Sequence, residues 1–236
     1  MKQALFFHPD LQQQSTEVVI DESTSKHMIQ VLRMEAGERF QLTNGRGDMF
    51  DMELTEANRK RAAAKVLHAT QHPRFQPRIT IAISPIKNSS RFEWFLEKAT
   101  EIGVASIIPL LCTRTEKQQL KHERLHQILV SAMLQSHQPW LPELASITKF
   151  TDFIQQESGA IKYIAHCEDE PAEKNNLKGN NPGHSPVHIL IGPEGDFTPA
   201  EIEQAMSAGY KPVSLGETRL RTETAGIVAA ALLINQ

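Results

Sequence analysis

Two segments near the carboxyl end of the chain decide its fold: L-I-G-P-E-G-D-F-T-P-A-E-I, Leu190–Ile202, and S-L-G-E-T-R-L-R-T-E-T-A-G, Ser214–Gly226. Each segment places a glycine where a short strand must end. The run V-H-I-L-I, Val187–Ile191, predicts a buried strand that stops at Gly192. The two segments therefore predict successive strand, turn and helix units, whose turns can together form one ligand pocket.

Both units also carry signals for the start of a helix. Thr198 predicts an N-cap, because Pro199 follows at the first helical position and Glu201 completes a T-x-x-E capping box. In the turn before it, Gly192 and Gly195 tolerate a positive φ, so the backbone can bend tightly against a ligand. In the second unit, T-E-T-A-G-I-V-A-A-A-L-L-I predicts an apolar, buried last helix with first-turn N–H groups that suit polar ligand groups.

The first part of the chain has a different pattern and is rich in short strand candidates. Asn44-Gly45 between alternating segments predicts a hairpin, and Lys26–Met34 predicts a short helix. The two prolines of Gln71–Arg78 indicate a linker. After it, strands alternate with helices, which predicts an α/β domain with a largely parallel sheet. We therefore predict two domains, 1–72 and 73–236.

The amino-acid composition indicates the cellular compartment and argues against disulfide and metal sites. The chain of 236 residues has two cysteines, Cys112 and Cys167, without paired spacing, so we expect neither a disulfide framework nor a zinc site. No apolar run reaches membrane-spanning length, and the first residues lack the apolar core of a signal peptide. We expect a cytoplasmic protein that binds no metal and contacts no membrane.

Charge is unevenly distributed along the chain, whose net charge is −3. Residues 73–124 hold nine Lys or Arg against five Asp or Glu, whereas 125–236 hold seven against thirteen. A local basic face can bind phosphates despite an acidic total, because salt screens charges beyond roughly 10 Å. The basic centre fits an RNA partner, and it also fits a solvated helix face.

The sequence motifs of the two turns resemble those of a known protein family. G-P-E-G followed by L-G-x-x-x-L-R-T-E-T-A resembles the cofactor-binding loops of the bacterial 16S ribosomal RNA (uridine-N3) methyltransferases, a group of the SPOUT superfamily. Further similar blocks follow in the family's order: H-M-I-Q-V-L-R-M-E-A-G-E at His27–Glu38, K-N-S-S-R-F-E-W-F-L-E-K-A-T-E-I-G-V at Lys87–Val104 and L-P-E at Leu141–Glu143. The chain departs from the family at Asp196, where a third glycine is usual, and at Thr218 and Gln138, where arginine is frequent at or near the position.

This resemblance implies a fold, an activity and partners. The fold would be α/β, a knotted SPOUT (trefoil) methyltransferase domain with an N-terminal PUA-like β-barrel domain. The activity would be methylation of N3 of a uridine in 16S rRNA, near the decoding site of the small ribosomal subunit, with S-adenosyl-L-methionine as cofactor. The family's members are homodimers, so a second copy of the chain is an expected partner beside the rRNA.

The resemblance also implies roles for individual residues. Arg221 is the first choice for stabilising a developing uracil anion, because it flanks the expected pocket and stays protonated. Glu223 is a candidate proton acceptor, and the alternative is that its carboxylate stabilises the amino end of the last helix. Cofactor binding is expected at Ile191, Gly192, Pro193, Glu194, Gly195, Leu215, Gly216, Leu220, Arg221, Thr222, Thr224 and Ala225. RNA binding is expected at Arg33, Lys87, Arg91, Lys98 and Arg114, with ion pairs inside one helix as the alternative for Arg91 and Lys98.

Two other classes of protein fit parts of the pattern. A nucleotide-binding oxidoreductase fits the α/β alternation, but no G-x-G-x-x-G follows a strand, and no G-x-x-x-x-G-K-[ST] of an NTPase is present. A non-catalytic RNA- or ribosome-binding protein fits the basic centre, but it leaves G-P-E-G and L-R-T-E-T-A without a role. The methyltransferase accounts for more of the sequence than either.

Overall fold

A computed structural model describes residues 3–167, 175–177 and 183–234. The chain divides into two compact units, Met1–Arg74 with Met133–Leu141, and Phe75–Ala132 with Pro142–Gln236. The main division lies beside the predicted linker. The short segment Met133–Leu141 belongs to the first unit. From the sequence it was predicted to be part of the second domain.

The first unit contains a five-stranded sheet. Its strands are β1 (Leu5–Phe7), β2 (Glu17–Val19), β3 (Arg39–Thr43), β4 (Asp48–Glu56) and β5 (Ala63–Gln71). They lie in the order β1-β3-β4-β5-β2, with β1 parallel to β3 and the other pairs antiparallel. Between β2 and β3, α1 (Glu22–Lys26) continues into a π-helical turn, His27–Val31, where the sequence predicts one short helix.

Alternation along β4 explains how this sheet buries one face. Phe50, Met52 and Leu54 are buried, whereas the side chains between them are half-buried. At the predicted hairpin, Gly45 has a φ of +71°, and Asn44 accepts the Arg46 N–H at 2.8 Å. The hairpin predicted at Asn44-Gly45 therefore pairs β3 with β4 in antiparallel register.

The second unit contains a larger sheet that is parallel throughout. Its strands are β6 (Ile79–Ile83), β7 (Ser106–Leu111), β8 (Glu143–Leu144), β9 (Thr148–Lys149), β10 (Ile161–Ala165), β11 (Asn175–Asn176), β12 (Val187–Ile191) and β13 (Lys211–Ser214). The order is β11-β13-β10-β12-β6-β7-β8, and β9 pairs with β7. This order brings the carboxyl ends of β13, β10 and β12 side by side.

The remaining helices connect these strands. They are α2 (Ser89–Ile102), α3 (His122–Gln135), α4 (Phe150–Ile154), α5 (Pro199–Ser207) and α6 (Thr222–Ile234). α5 begins as predicted, because Thr198 and Glu201 form both hydrogen bonds of the capping box behind Pro199. The predicted alternation of strands and helices after the linker is confirmed.

The last helix, α6, packs against α2 and β6. Gly226 is required at this contact, because a Cβ there would lie 2.9 Å from Cδ2 of Phe95 and 3.0 Å from Cδ1 of Ile83. The neighbour at this small residue of α6 is thus the fully buried aromatic ring of Phe95. Although α6 is apolar along most of its length, neither it nor any other described helix is long and apolar enough to span a membrane.

Candidate active site

A cavity of about 880 Å³ lies at the carboxyl ends of β10, β12 and β13. Its wall combines the turns after β12 and β13 with the end of β10 and one side chain of α2. The turns contribute Ile191, Gly192, Pro193, Glu194, Asp196, Val213, Ser214, Leu215, Gly216, Glu217, Thr218, Arg219, Leu220, Arg221, Thr222 and Ala225, and the rest are Ala165, His166, Cys167 and Arg91. Parallel sheets commonly bind ligands at this edge.

Asp196 determines the bend of the turn after β12. It has a φ of +63°, in the left-handed region, whereas neither Gly192 nor Gly195 has a positive φ. Its carboxylate accepts the N–H of Phe197 at 2.8 Å and the N–H of Cys167 at 2.7 Å. Asp is among the residues that tolerate this conformation, because the short polar side chain can bond locally. The residue that departs from the family pattern therefore adopts a glycine-like conformation and adds a link to the end of β10.

Glu201 holds the same turn from the other side. Its buried carboxylate accepts N–H and hydroxyl hydrogen bonds from Thr198 at 2.8 and 2.9 Å, and from Thr113 at 2.7 and 3.0 Å. Burial raises the pKa of Glu201, but these four hydrogen bonds together outweigh burial and lower the pKa below its ordinary value. One carboxylate thus joins the start of α5 to the segment that follows β7.

Arg114 lies directly after Thr113 and continues this connection. Its Nη1 donates to the carbonyl of Gly195 at 2.6 Å and, less closely, to that of Phe197 at 3.4 Å. A Cβ on Gly195 would lie 3.3 Å from Cδ of Arg114. Gly195 therefore contacts this arginine, and it is absent from the wall of the cavity.

The turn after β13 has fewer internal contacts. Ser214 Oγ donates to the carbonyl of Gly216 at 2.9 Å, and Gly216 has a φ of +149° with open space around its Cα. Residues 216–219 and Arg221 are exposed. Thr222 then connects the two turns, because its buried hydroxyl donates to the carbonyl of Gly192 at 3.1 Å.

One charged cluster belongs to the cavity wall. Arg91, in the first turn of α2, places Nη1 3.8 Å from Oε1 of Glu194 and Nε 3.7 Å from Oε1 of Glu223. The Glu223 side chain is only 8% exposed, and its Oε2 has no hydrogen-bond partner among the described residues. Arg91 and Glu194 line the cavity, whereas Glu223 lies behind Arg91 and does not.

The cavity contains nearly all the residues predicted to bind the cofactor. The exceptions are Gly195, which contacts Arg114, and Thr224. The residues of the wall that were not predicted to bind the cofactor are Ala165 to Cys167 at the end of β10, Asp196, Val213, Ser214 and Glu217 to Arg219. Arg91 was predicted to bind RNA alone. The strand-like run I-K-Y-I-A before His166 was a usable signal, but only the sheet order shows that β10 lies between β12 and β13.

Two family models match the chain. One, described as an RNA methyltransferase domain, matches residues 73–234. The chain belongs to the RNA methyltransferase family. The other, described as an RNA methyltransferase PUA domain, matches residues 20–67, so this RNA methyltransferase has a PUA domain in its first part.

Individual relatives of this RNA methyltransferase cover most of its length. Ribosomal RNA small subunit methyltransferase E of Synechocystis sp. is 32% identical over 229 residues, which are 93% of this chain and 74% of the relative. The crystal structure of a probable rRNA-methyltransferase from Porphyromonas gingivalis has a TM-score of 0.89 and 40% identity, covering 96% of this chain and 95% of that one. A ribosomal RNA small subunit methyltransferase E from Neisseria gonorrhoeae, solved with S-adenosyl methionine, has a TM-score of 0.85 and 28% identity, covering 97% and 95%.

These likenesses confirm the predicted family and fold class. The methyltransferase is an α/β protein of SPOUT type with a parallel sheet and an N-terminal PUA-like domain. The trefoil knot and the homodimer stay predictions.

The predicted RNA-binding cations of this methyltransferase differ in their surroundings. Lys87 pairs with Glu116 at 2.9 Å, and Lys98 pairs with Glu97 at 2.8 Å and Glu101 at 2.9 Å. The Glu116 pair raises the pKa of Lys87, which stays a cation. The alternative of ion pairs within one helix therefore describes Lys98, whereas Arg91 pairs with residues outside α2. Exposed pairs contribute little and can exchange for phosphate contacts.

The two other predicted RNA contacts have no acidic partner among the described residues. Arg114 is exposed and bonds carbonyl oxygens of the turn after β12. Arg33 is exposed in the first unit, with a φ of +58°. Neither guanidinium is therefore paired, in the part of the chain that the structure describes, with a carboxylate that would compete with an anionic partner.

Proposed function

We propose that this chain is an S-adenosyl-L-methionine-dependent methyltransferase that methylates N3 of a uridine in 16S rRNA, near the decoding site of the small ribosomal subunit. The observation that carries this proposal is the cavity formed by the two turns after β12 and β13. Relatives named ribosomal RNA small subunit methyltransferase E support the rRNA substrate. The Neisseria gonorrhoeae relative, solved with S-adenosyl methionine, supports the cofactor.

The residues of the cavity fit this cofactor. A volume of about 880 Å³ is within the range of small-molecule sites. Glycines, Pro193 and Leu215 supply close backbone and apolar wall for an adenosine, and polar groups lie at the rim. When bound, S-adenosylmethionine supplies a methyl group on a positively charged sulfur. We propose that Ile191 to Gly195, Leu215, Gly216, Leu220 to Thr222, Thr224 and Ala225 hold it, with Gly195 and Thr224 outside the wall itself.

We propose Arg221 as the residue that stabilises the uracil anion. The target nitrogen must lose its proton before it can accept a methyl group, and the resulting charge spreads over the uracil oxygens. Arg221 lines the cavity, is exposed at its rim and has no acidic partner within the described ranges. Its guanidinium can therefore donate to a substrate oxygen without leaving another carboxylate.

Glu223 as the proton acceptor stays a prediction. Its Oε2 is buried without a hydrogen-bond partner in the described structure, which supports a role as an acceptor. Its carboxylate does not line the cavity, whereas Arg91, which contacts it, does. The geometry therefore also supports a second role, in which Glu223 acts through Arg91 and stabilises the start of α6.

We also propose a cytoplasmic homodimer that binds RNA through Arg33, Lys87, Lys98 and Arg114. Arg91, which the sequence also predicts to bind RNA, lines the cavity instead. Half-buried apolar side chains on α6, Ile227, Val228 and Leu232, support a second copy as partner. Sedimentation at several protein concentrations tests the dimer. Salt dependence of RNA binding tests each cation, since loss of one phosphate contact reduces the salt slope by about one.

The decisive experiment measures methyl transfer from labelled S-adenosylmethionine to small ribosomal subunits from a strain that lacks this gene. Nucleoside mass analysis should then identify 3-methyluridine. Subunits from the parent strain, already methylated, are the matched control and should accept little label. Transfer to another atom or nucleotide would overturn the site specificity, and absence of transfer to every RNA tested would overturn the proposed activity.

A further inference from the structure

The cluster of Arg91, Glu194 and Glu223 has a charge pattern that fits one particular part of a ligand. We propose that it binds the zwitterionic α-amino-acid end of the cofactor, with Arg91 taking the carboxylate and Glu194 the ammonium group. Glu223 is then a positioning residue that acts through Arg91. This inference rests on the proposed function, because it assumes that S-adenosylmethionine occupies the cavity.

The distances leave Arg91 ready to bind a ligand. Its contacts with Glu194 and Glu223, at 3.8 and 3.7 Å, are ion pairs but are longer than hydrogen bonds. Among the described residues, its guanidinium makes no side-chain hydrogen bond. The carboxylates of Glu194 and Glu223 hold the guanidinium of Arg91 in place, while its N–H groups stay available to donate to a ligand. A guanidinium binds a carboxylate through two parallel hydrogen bonds, which is the strongest arrangement for this pair.

The spacing of Arg91 and Glu194 matches an amino acid. In an α-amino acid the carboxylate and the ammonium are attached to the same carbon, so their partners must be neighbours. Arg91 and Glu194 are neighbours and both line the cavity. Their side chains are 39% and 45% exposed, so each can reach a ligand in the cavity.

Glu223 supplies the fixed end of the cluster. Its side chain is only 8% exposed, and Oε2 lacks a hydrogen-bond partner in the described part of the chain. A buried carboxylate with an unsatisfied oxygen is costly unless a nearby cation compensates it. Arg91 is the cation that contacts it, so Glu223 holds the guanidinium of Arg91 against the wall.

Net charge favours the cofactor over RNA as the ligand of this cluster. Two glutamates against one arginine give a formal charge of −1. The methionine end of S-adenosylmethionine, with its sulfonium, ammonium and carboxylate, carries +1. An RNA phosphate bound to Arg91 would face two carboxylates within 4 Å of the same guanidinium. The carboxylate of the cofactor faces them too, but the ammonium group on the neighbouring atom offsets this repulsion at Glu194, and a phosphate has no such group. A neutral uracil offers only partial charges, so it gains less from the cluster than the cofactor does.

Ligands with and without the amino-acid end test this inference. Calorimetric titration would compare S-adenosylmethionine, S-adenosylhomocysteine and methylthioadenosine, the last of which lacks that end. Arg91→Met should weaken binding of the first two by roughly tenfold or more, as expected for loss of hydrogen bonds between charged groups. Binding of methylthioadenosine should stay within about twofold, because it makes no contact with Arg91. Glu223→Gln should give the same selectivity with a smaller loss.

Arg124→Met is the matched control. Arg124 also pairs with a carboxylate of α2, Glu93, but it does not line the cavity. It should leave all three affinities unchanged. Thermal unfolding of every variant separates misfolding from lost contacts, and Arg91→Lys keeps the charge if Arg91→Met does not fold.

Three results would overturn the inference. Equal weakening of all three ligands by Arg91→Met would assign Arg91 a structural role. Unchanged cofactor affinity with weaker RNA binding would assign Arg91 to the nucleic acid. Absence of binding of every ligand by the wild-type protein would overturn the proposed function as well, which distinguishes the two failures.

Discussion

The two turns that form the cavity wall have similar sequence logic but different tertiary support. The turn after β12, residues 192–198, is held by Asp196, Glu201 and Arg114, each of which bonds another segment or the turn's own backbone. The turn after β13, residues 215–221, is held by the hydroxyl of Ser214, which donates to the carbonyl of Gly216 and accepts its N–H, and most residues of the turn are exposed.

This difference in support predicts different roles for the two turns. A turn held by several buried or half-buried hydrogen bonds is pre-organised, so a bound ligand pays little to order it. A turn with few contacts and exposed arginines can adapt to a large partner. We expect the first turn to determine cofactor affinity and protein stability, and the second to determine catalysis on RNA.

The largest expected effect is on catalysis and lies in the second turn. Arg221→Met should lower kcat by about 10²–10³, because it removes a donor to the developing uracil anion. The melting temperature should change little, since the side chain is exposed. The cofactor Kd should also change little, because the substitution leaves in place the backbone of this turn, through which we expect Arg221 to hold the cofactor. Single-turnover methyl transfer with Arg221→Lys as the control tests this. A large loss of thermal stability with an unchanged kcat would contradict the expected difference between the two turns.

The next effect is on stability and lies at the support of the first turn. Glu201→Ala should cost about 2–4 kcal/mol, because it leaves the N–H groups of Thr113 and Thr198 without their acceptor and removes a helix cap. Urea unfolding measures it. Glu203→Ala, on the exposed side of the same helix, is the control and should be nearly neutral.

The same carboxylate predicts a pH dependence. The pKa of Glu201 is lower in the folded protein than its ordinary value. The contribution of Glu201 to stability is therefore complete above the pKa that its carboxyl has in the unfolded chain. This contribution is lost as the pH falls through the lower pKa of the same carboxyl in the folded protein. In acid, the difference in unfolding free energy between wild type and Glu201→Gln should shrink. A difference that grows as pH falls would contradict the assignment.

A smaller effect is expected at the bend of the first turn. Asp196→Gly keeps the left-handed backbone but loses two hydrogen bonds, whereas Asp196→Ala also strains that backbone. Alanine should therefore be less stable than glycine by about 1 kcal/mol. Denaturant unfolding of both variants measures the difference. Equal stability would show that the bend relaxes when the side chain is removed.

The smallest effect is expected in the second turn. Ser214→Ala removes the hydroxyl that bonds Gly216, and it should change stability by less than about 0.5 kcal/mol, as for most surface substitutions. Unfolding under the same conditions as for Asp196→Ala sharpens the contrast between the turns. A cost as large as that of Asp196→Ala would remove the distinction.

The sequence by itself determined the local elements and half of the cavity wall. Periodicity, the T-x-x-E box and the glycines were enough for the strands, for α5 and for the two turns, because these depend on neighbours along the chain. The motifs were enough to predict the family and ten of the twenty residues of the wall, including Gly192, Gly216 and Arg221.

Only the tertiary structure decided how separate segments meet. The order of β13, β10 and β12 added the end of β10 to the wall, and no local pattern encodes that order. Folding also placed Arg91 of α2 against Glu223 of α6, and Phe95 against Gly226. These contacts join residues far apart in the chain, so they depend on packing and on burial of charge, which residue spacing does not contain.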